Sequence, residues 1–418
     1  MTSISARPRQ VAAPVCALLI LAVIPIRELP PSSFLWTAPS ILLAAMLIAW
    51  AAESAQFFVA QGFALAILAW LQTLPEFAVE AVLAWKQQVP LLLANLTGAL
   101  RLLTGLGWPM IYCVAAIANR MRRQPPLRRI TLQPEHAVEV VGLLACMAYV
   151  TIIWWKASLN LIDAVILIVV YCAYLIVLQR MPPQGAEGID DLERIPRTIV
   201  KSRRPVRIAA ITGLFVLGGG LIYFTAEPFL GSLLALSASL GVPNFVFVQW
   251  VAPFVSEFPE KVSAFYWART VERAPMALMN MVSSNINQWT LLVAMLAIVF
   301  SASSGAPATI AFDSQQELEL LMTLGQSLVG TLFLINMELA WWEAAVLFAL
   351  WAIQFALSPV PLSAPFWGAV ATHIHRSVTY AYLIWAGVEI VRLLFGRRKA
   401  LAFTLFAEMW RRHVRRQK

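Results

Sequence analysis

Two short polar segments interrupt otherwise apolar stretches of the chain. The first reads Gln72-Thr73-Leu74-Pro75-Glu76, with Glu80 one helical turn later, and the second reads Ser256-Glu257-Phe258-Pro259-Glu260. A proline inside a helix removes a backbone hydrogen bond and loosens the carbonyl four residues earlier, here that of Leu71 or Val255. Loosened carbonyls, carboxylates and hydroxyls are the hard oxygen ligands that Na⁺ and Ca²⁺ prefer. Both segments are therefore predicted to hold cations or protons.

A second polar cluster follows each segment at a matched distance. The clusters are Asn95-Leu96-Thr97-Gly98 and the stretch from Asn280 to Gln288. The first asparagine lies 19 residues after Glu76 in one half and 20 residues after Glu260 in the other. Matched spacing of this kind predicts an internal repeat whose functional site lies where the two copies meet.

The two copies together supply eleven candidate ligands for cations or protons. They are Thr73, Glu76, Glu80 and Asn95 from the first half and Ser256, Glu257, Glu260, Asn280, Ser284, Asn285 and Gln288 from the second. Glu76 and Glu260 are the predicted metal ligands, since charged groups at midmembrane are costly unless they pair, hydrate or bind an ion. An alternative for Glu80 and Glu257 is that both are neutral, hydrogen-bonded helix-packing residues.

The composition is that of an integral membrane protein. Hydrophobic residues make up 60% of the 418-residue chain and charged residues 13%, whereas an average soluble domain has about 25% charged residues. A membrane-spanning helix needs about 20 mainly apolar residues. Twelve stretches qualify: 11–29, 33–51, 54–85, 90–118, 137–155, 158–179, 208–227, 231–268, 276–300, 318–337, 340–360 and 375–395. The predicted fold is all-α, with about twelve transmembrane helices in a lipid bilayer.

The net charge of +9 is distributed in a way that indicates topology, not nucleic-acid binding. Arginines and lysines cluster before the first predicted span, after spans four, six and eight, and in the tail. All these segments share one side if twelve spans alternate. Both termini are therefore predicted to be cytoplasmic, in an inner (plasma) membrane.

The chain divides into five predicted regions. Spans two to six form a first repeat (33–180) and spans seven to eleven a second (208–360), with a polar cytoplasmic linker (181–207) between them. An extra helix stands at the N-terminus (1–32), and another precedes a basic tail at the C-terminus (361–418). A further correspondence supports the duplication, because an acidic residue opens the last span of each repeat, Asp163 and Glu343. Five spans are an odd number, so the two repeats are predicted to enter the membrane from opposite sides.

These features resemble the sodium/calcium exchanger and cation antiporter superfamily. The resemblance covers about residues 33 to 360. It rests on Thr73-Leu74-Pro75-Glu76 with Asn95 and Gly98, and on Phe258-Pro259-Glu260 with Asn280 and Ser284-Asn285-Ile286. It implies ten core helices, cation ligands from the two Pro-Glu helices and their partners, and exchange by alternating access. The chain departs from the family where Glu257 replaces a serine and where Ala99-Leu100-Arg101 replaces a serine-asparagine cluster.

Two basic residues fall inside the predicted spans. Arg101 is expected to compensate the charge of one motif carboxylate if it faces the site. Lys261 is a second internal cation, expected on a different helix face from the glutamates.

His373 and His375 are expected to be a pair at the membrane interface. The tail from Arg397 to Lys418 is either an amphipathic helix on the inner leaflet or an ordinary basic flank.

The sequence thus predicts a secondary active antiporter that exchanges Ca²⁺ or another cation for Na⁺ or H⁺. A Na⁺/H⁺ exchanger is the alternative within transport, and a non-transporting scaffold or sensor of the same fold is the alternative outside it. No enzyme activity is predicted, because no nucleophile or metal cluster supports one. No cofactor is expected besides the transported Na⁺, Ca²⁺ or H⁺, and the number of subunits stays open.

Overall fold

The computed structural model describes residues 29–58, 70–181, 192–360 and 366–415, together with 189 and 364. The helices of the first half are α1 (Phe34–Ala55), α2 (Leu74–Trp85), α3 (Val89–Leu102), α4 (Trp108–Met121), α5 (Ala137–Trp155) and α6 (Leu161–Gln179). A short helix α7 (Arg194–Val200) leads to the second half. There follow α8 (Arg204–Leu240), α9 (Asn244–Ser256), α10 (Phe258–Ala268), α11 (Ala274–Asn287), α12 (Val293–Ser304), α13 (Ser314–Leu334), α14 (Trp341–Leu357), α15 (Trp367–Leu394) and α16 (Leu401–Met409).

The described helices are those of a multi-pass membrane protein. Eight helical stretches are long and apolar enough to cross a bilayer, and α9 and α14 are shorter apolar helices. The first predicted span, 11–29, lies almost entirely outside the described residues, as do residues 59–69 of the third. The count of twelve helices therefore stays a prediction.

The predicted boundary between the spans 208–227 and 231–268 was misplaced. Helix α8 runs without interruption from Arg204 to Leu240, through Pro228. It ends at Gly241, whose φ of 67° provides the left-handed C-terminal cap that glycine adopts at little cost. At 1.5 Å per residue α8 is about 55 Å long, which exceeds the thickness of the hydrocarbon core. Helices α9 and α10 occupy the remainder of the stretch.

Helices α3 and α11 form the centre of the molecule. Every residue from 92 to 102 of α3 and from 277 to 287 of α11 is buried. Helix α3 packs on α9 so closely that a Cβ atom added to Gly98 would lie 1.8 Å from the carbonyl oxygen of Gln249. A π-helical turn follows each central helix, at Leu103–Gly107 and at Gln288–Leu292. The turns begin eight residues after Asn95 and Asn280, so the two halves share this irregularity as well.

Two small antiparallel strand pairs connect the halves. Strand β1 (Arg129–Thr131) pairs with β4 (Glu338–Ala340), and β2 (Ser158–Leu159) pairs with β3 (Ile310–Ala311). Because β1 precedes α5 and β2 follows it, the two pairs stand at opposite ends of that helix. Each pair joins one strand from each half.

The acidic residues that open α6 and α14 have matched capping roles. Asp163 Oδ2 accepts a hydrogen bond from the backbone N–H of Asn160 at 2.8 Å, and Glu343 Oε2 accepts one from Ala340 at 2.8 Å. Both lie in the first helical turn, where a carboxylate also complements the helix dipole. The correspondence between Asp163 and Glu343 therefore reflects helix initiation.

The tail helix α16 lies against the protein. It packs on α5 and on the 3₁₀ turn Pro134–His136, and the Ala402 N–H donates to the Ile335 carbonyl at 2.9 Å. Ala402 is fully buried, whereas Phe403 and Trp410 are exposed. The tail thus presents one apolar face to the protein and another outward.

Candidate cation-binding site

The two Pro-Glu segments lie at breaks between helices. Residues 70–72 are helical, Thr73 is a turn residue, and α2 begins at Leu74. In the second half α9 ends at Ser256, Glu257 is a turn residue, and α10 begins at Phe258. The expectation that each proline lies inside a continuous helix was therefore wrong: both prolines occupy the second position of a new helix, where their missing N–H is tolerated.

The breaks place Glu76 and Glu260 at equivalent positions. Each is the third residue of its helix, and neither side chain is exposed. The first turn of a helix carries partial positive charge from free N–H groups, which favours a carboxylate there. The preceding helices end just before the same two breaks, and helix C-termini and unwound carbonyls favour cations.

A hydroxyl stands at each break. The Thr73 hydroxyl donates to the Trp70 carbonyl at 2.8 Å, and the Ser256 hydroxyl donates to the Ala252 carbonyl at 3.0 Å. Because each hydroxyl has given its proton to the preceding helix, its oxygen lone pairs are left to accept from a donor or bind a cation.

Gln288 connects the two halves. Its side-chain nitrogen donates to Glu76 Oε2 at 2.7 Å and to Glu257 Oε1 at 2.8 Å. Glu76 also lies within electrostatic range of Glu80 and Glu260. The structure thus brings together the four motif glutamates, which lie on α2, on α10 and at the break before α10.

Several buried oxygens at this junction have no hydrogen-bond partner among the described residues. They are Glu76 Oε1, both oxygens of Glu260, Ser284 Oγ, Asn280 Oδ1, Asn285 Oδ1 and Gln288 Oε1. Ser284 on α11 lies close to Glu260 on α10. A buried polar atom without a partner costs roughly 1–3 kcal/mol, and a charged group costs more. Such a concentration of unpartnered oxygens favours a site for an ion or a proton.

The remaining predicted ligands belong to a hydrogen-bonded network around this junction. The Asn95 amide donates to Glu80 Oε1 at 2.9 Å, which supports the alternative of a packing role for Glu80. The Asn280 amide donates to Gln72 Oε1 at 3.3 Å, and the Gln72 amide donates to the Ser263 hydroxyl at 3.4 Å. Ser263 in turn donates to Glu53 Oε1 on α1 at 2.8 Å.

The site does not have the form of a carboxylate-rich metal centre. Within the described ranges, no three His, Cys, Asp or Glu side chains stand close enough to hold a metal ion. Glu76 and Glu260 would therefore have to share an ion with neutral oxygens. Amide and hydroxyl oxygens of this kind are ordinary ligands of Ca²⁺ and Na⁺.

The prediction that Lys261 lies on a different helix face from the glutamates was wrong. Its ammonium donates to Glu257 Oε2 at 2.7 Å, and both side chains are buried. Lys261 follows Glu257 by four residues, a spacing that brings side chains together across a helical turn. Lys261 thus neutralises Glu257, while Glu76, Glu80 and Glu260 form no salt bridge within the described part of the chain.

Arg101 was expected to compensate a motif carboxylate, but its salt bridge is with another residue. Its guanidinium donates from Nη2 to Glu319 Oε2 on α13 at 2.7 Å and from Nε to the Thr97 carbonyl at 3.0 Å. The guanidinium also lies 5.2 Å from the centre of the Trp250 ring. The arginine side chain turns back along its own helix and pairs on the side facing α13.

Sequence reasoning did not identify Glu319 as a functional candidate. It also predicted the wrong surroundings for His375. Glu319 Oε2 also accepts a hydrogen bond from the Gln249 amide at 2.9 Å, and its Oε1 contacts His375 Nδ1. His375 is thus not half of an interfacial pair with His373, which is exposed. The signal was available, because Glu319 is a carboxylate within a predicted span and such residues seldom lack a partner.

Comparison with known proteins decides which family this arrangement represents. The sodium/calcium exchanger protein family matches the chain twice, over residues 32–179 and 210–358. The chain belongs to the sodium/calcium exchanger family. Its members exchange cations across membranes and are transporters, not enzymes. No curated protein sequence matches the chain.

Solved structures of known proteins share the fold. The crystal structure of the H⁺/Ca²⁺ exchanger CAX is 28% identical, with 96% of this chain and 98% of that chain covered and a TM-score of 0.77. The sodium-calcium exchanger NCX_Mj is 18% identical, with 81% of this chain and 99% of that one covered and a TM-score of 0.53. YfkE is 15% identical, with 83% and 99% covered and a TM-score of 0.59.

Proposed function

We propose that this exchanger moves Ca²⁺ in one direction and H⁺ in the other through the junction of Glu76 and Glu260. One observation carries the proposal: two fully buried carboxylates, one from each half, together have three oxygens with no partner among the described residues. Two ionised carboxylates without compensation are costly at this depth. One divalent cation or two protons would neutralise them equally.

The surroundings of Arg101 favour protons over Na⁺ as the exchanged ion. Several Na⁺ ions would need oxygen ligands from both halves. In the first half, however, Ala99, Leu100 and Arg101 occupy the positions after Gly98, and Arg101 is engaged by Glu319. The similarity to an H⁺/Ca²⁺ exchanger over nearly the whole chain supports the same choice.

Alternating access would follow from an inverted relation of the two halves. Support comes from the strand pairs, which join the halves at both ends of α5, and from the equivalent π-helical turns. With basic segments placed inside, both termini would be cytoplasmic in the inner membrane. The two helix pairs α2–α3 and α10–α11 would then present Glu76 and Glu260 to alternate sides.

A Na⁺/H⁺ exchanger is the second candidate. It is favoured by the lack of any group of three acidic, histidine or cysteine side chains near one another in the described residues. A monovalent cation needs less negative charge than Ca²⁺. The scaffold hypothesis loses its main support, because Arg101 forms its salt bridge with Glu319 and not with a motif carboxylate.

Cation binding to the purified protein tests the proposal. We expect ⁴⁵Ca²⁺ to bind at pH 7.5, to be displaced by acid, and to be insensitive to 100-fold excess Na⁺. Glu76→Gln and Glu260→Gln should each abolish binding, while Glu227→Gln, at an exposed glutamate of α8, should not. Displacement by Na⁺ but not by acid would assign sodium as the exchanged ion, and an absence of Ca²⁺ binding would overturn the Ca²⁺ proposal.

A further inference from the structure

A basic cavity lies away from the candidate cation site, where the ends of α13 and α15 meet β1, β4 and the tail. Its volume is about 470 Å³, within the range of cavities that hold small molecules. Five cationic side chains line it: Arg129, Arg392, Arg397, Arg398 and Lys399.

The acidic residues near the cavity do not balance these cations. Two carboxylates line it, of which Glu338 pairs with Arg129 at 2.8 Å and Glu343 pairs with Arg398 at 2.6 Å. Glu389 is the third nearby carboxylate and binds both Arg392 and Arg398, at 2.7 and 2.9 Å. Five cations against three carboxylates leave a surplus of two positive charges.

The surplus is located on two neighbouring residues. Arg397 and Lys399 line the cavity, are exposed, and form no salt bridge within the described ranges. Gly396, with a φ of 68°, ends α15 and turns the chain back. The N–H of Arg397 then donates to the Arg392 carbonyl at 2.8 Å, which holds the basic loop over the cavity.

Arg398, which also lines the cavity, has a side chain held in place by several hydrogen bonds. Its side chain is 5% exposed and donates to Glu343, to Glu389 and to the Phe333 carbonyl. Its Nε has no hydrogen-bond partner among the described residues. The bonds of its other two nitrogens hold the buried guanidinium in place, so it adds a fixed positive charge beside the two unpaired cations.

We propose that this cavity binds a phosphate group, carried by an anionic phospholipid of the surrounding membrane or present as free inorganic phosphate. The residues before the loop favour the lipid, because Leu394 and Phe395 are 80% and 77% exposed. Apolar side chains directly beside a basic pocket fit a molecule that has acyl chains next to its phosphate. Basic pockets at membrane-helix ends commonly bind such headgroups.

The test compares Arg397→Gln/Lys399→Gln with a matched control. The control is Arg120→Gln/Arg123→Gln, which removes two exposed arginines that do not line the cavity. Full-length protein is placed in nanodiscs of phosphatidylcholine containing 10% phosphatidylglycerol, and lipid retention after mild detergent washing is measured by native mass spectrometry. Each cation near an anionic lipid strengthens binding about fivefold, so the cavity variant should retain phosphatidylglycerol roughly 25-fold less than the wild type.

A second arm separates the two sources of phosphate. Inorganic phosphate is titrated into the wild type, the cavity variant and the control, each in pure phosphatidylcholine nanodiscs, and its binding is detected calorimetrically. Loss of phosphatidylglycerol retention in the cavity variant alone supports the lipid, and loss of phosphate binding in that variant alone supports the free ion. Equal losses in the control, or no loss in either arm, would overturn the proposal.

Discussion

Replacing Arg101 by leucine tests whether this arginine is the structural partner of Glu319. The change removes an ion pair of 2.7 Å between two buried side chains and the contact with Trp250. Removal of one partner from a buried pair costs about 3–5 kcal/mol, because the other charge is left uncompensated. Glu319 would keep its bonds to Gln249 and His375, which places the expected loss near the lower limit, at about 3 kcal/mol.

The loss can be followed as a melting temperature in detergent, with a fluorescent dye that reacts with cysteines on unfolding. Cys146 is fully buried and serves as a reporter. We expect Arg101→Leu to melt well below the wild type and Arg101→Leu/Glu319→Gln to recover much of the difference, since a neutral pair needs no compensation. Arg120→Leu, at an exposed arginine, should melt like the wild type.

The folded double variant also separates structure from transport. If Arg101 acts only on Glu319, Arg101→Leu/Glu319→Gln should bind Ca²⁺ with wild-type pH dependence. A double variant that is no more stable than Arg101→Leu would refute the pairing. A stable double variant with altered pH dependence would show that Arg101 acts on the motif carboxylates after all.

Three further predictions concern packing, charge and topology. Gly98→Ala should prevent folding or strongly lower the melting temperature, because the added Cβ would meet the Gln249 carbonyl at 1.8 Å; wild-type stability would contradict the close packing. Lys261→Met leaves Glu257 without its cation. The Ca²⁺ affinity of the protein should therefore rise if the Glu257 carboxylate is part of the ion site, and isothermal titration calorimetry would detect no change if it is not. Gln87→Cys and Glu272→Cys in a cysteine-free variant should be labelled by impermeant reagents from opposite sides, and labelling from one side would exclude inverted repeats.

The main architecture could be predicted because it depends on local composition. Long apolar runs and repeated Pro-Glu segments are visible in the sequence, and they indicated both the membrane helices and the exchanger family. The misplaced boundary at residues 227–231 has a physical cause. The predicted boundary lies beside Pro228, but a proline is tolerated within a long membrane helix, and Gly241 provides the actual end.

The partners of the buried charges could not be predicted to the same extent. Glu257 and Lys261 are four residues apart, so their pairing follows from helical geometry and was available. The contact between Arg101 and Glu319 joins residues 218 positions apart. Such a contact depends on how α3 and α13 pack, and helix packing is determined by many weak contacts that no single motif records.

Gradient-driven Ca²⁺ uptake into proteoliposomes tests the central claim most directly. Purified wild-type protein is reconstituted with an acidic interior, and ⁴⁵Ca²⁺ uptake is measured with and without an ionophore that collapses the pH gradient. We predict uptake that requires the pH gradient, that does not respond to a Na⁺ gradient, and that is lost in both Glu76→Gln and Glu260→Gln but retained in Glu227→Gln. Uptake of wild-type magnitude in either Glu76→Gln or Glu260→Gln would contradict the assignment of these two carboxylates as the ion-exchanging groups.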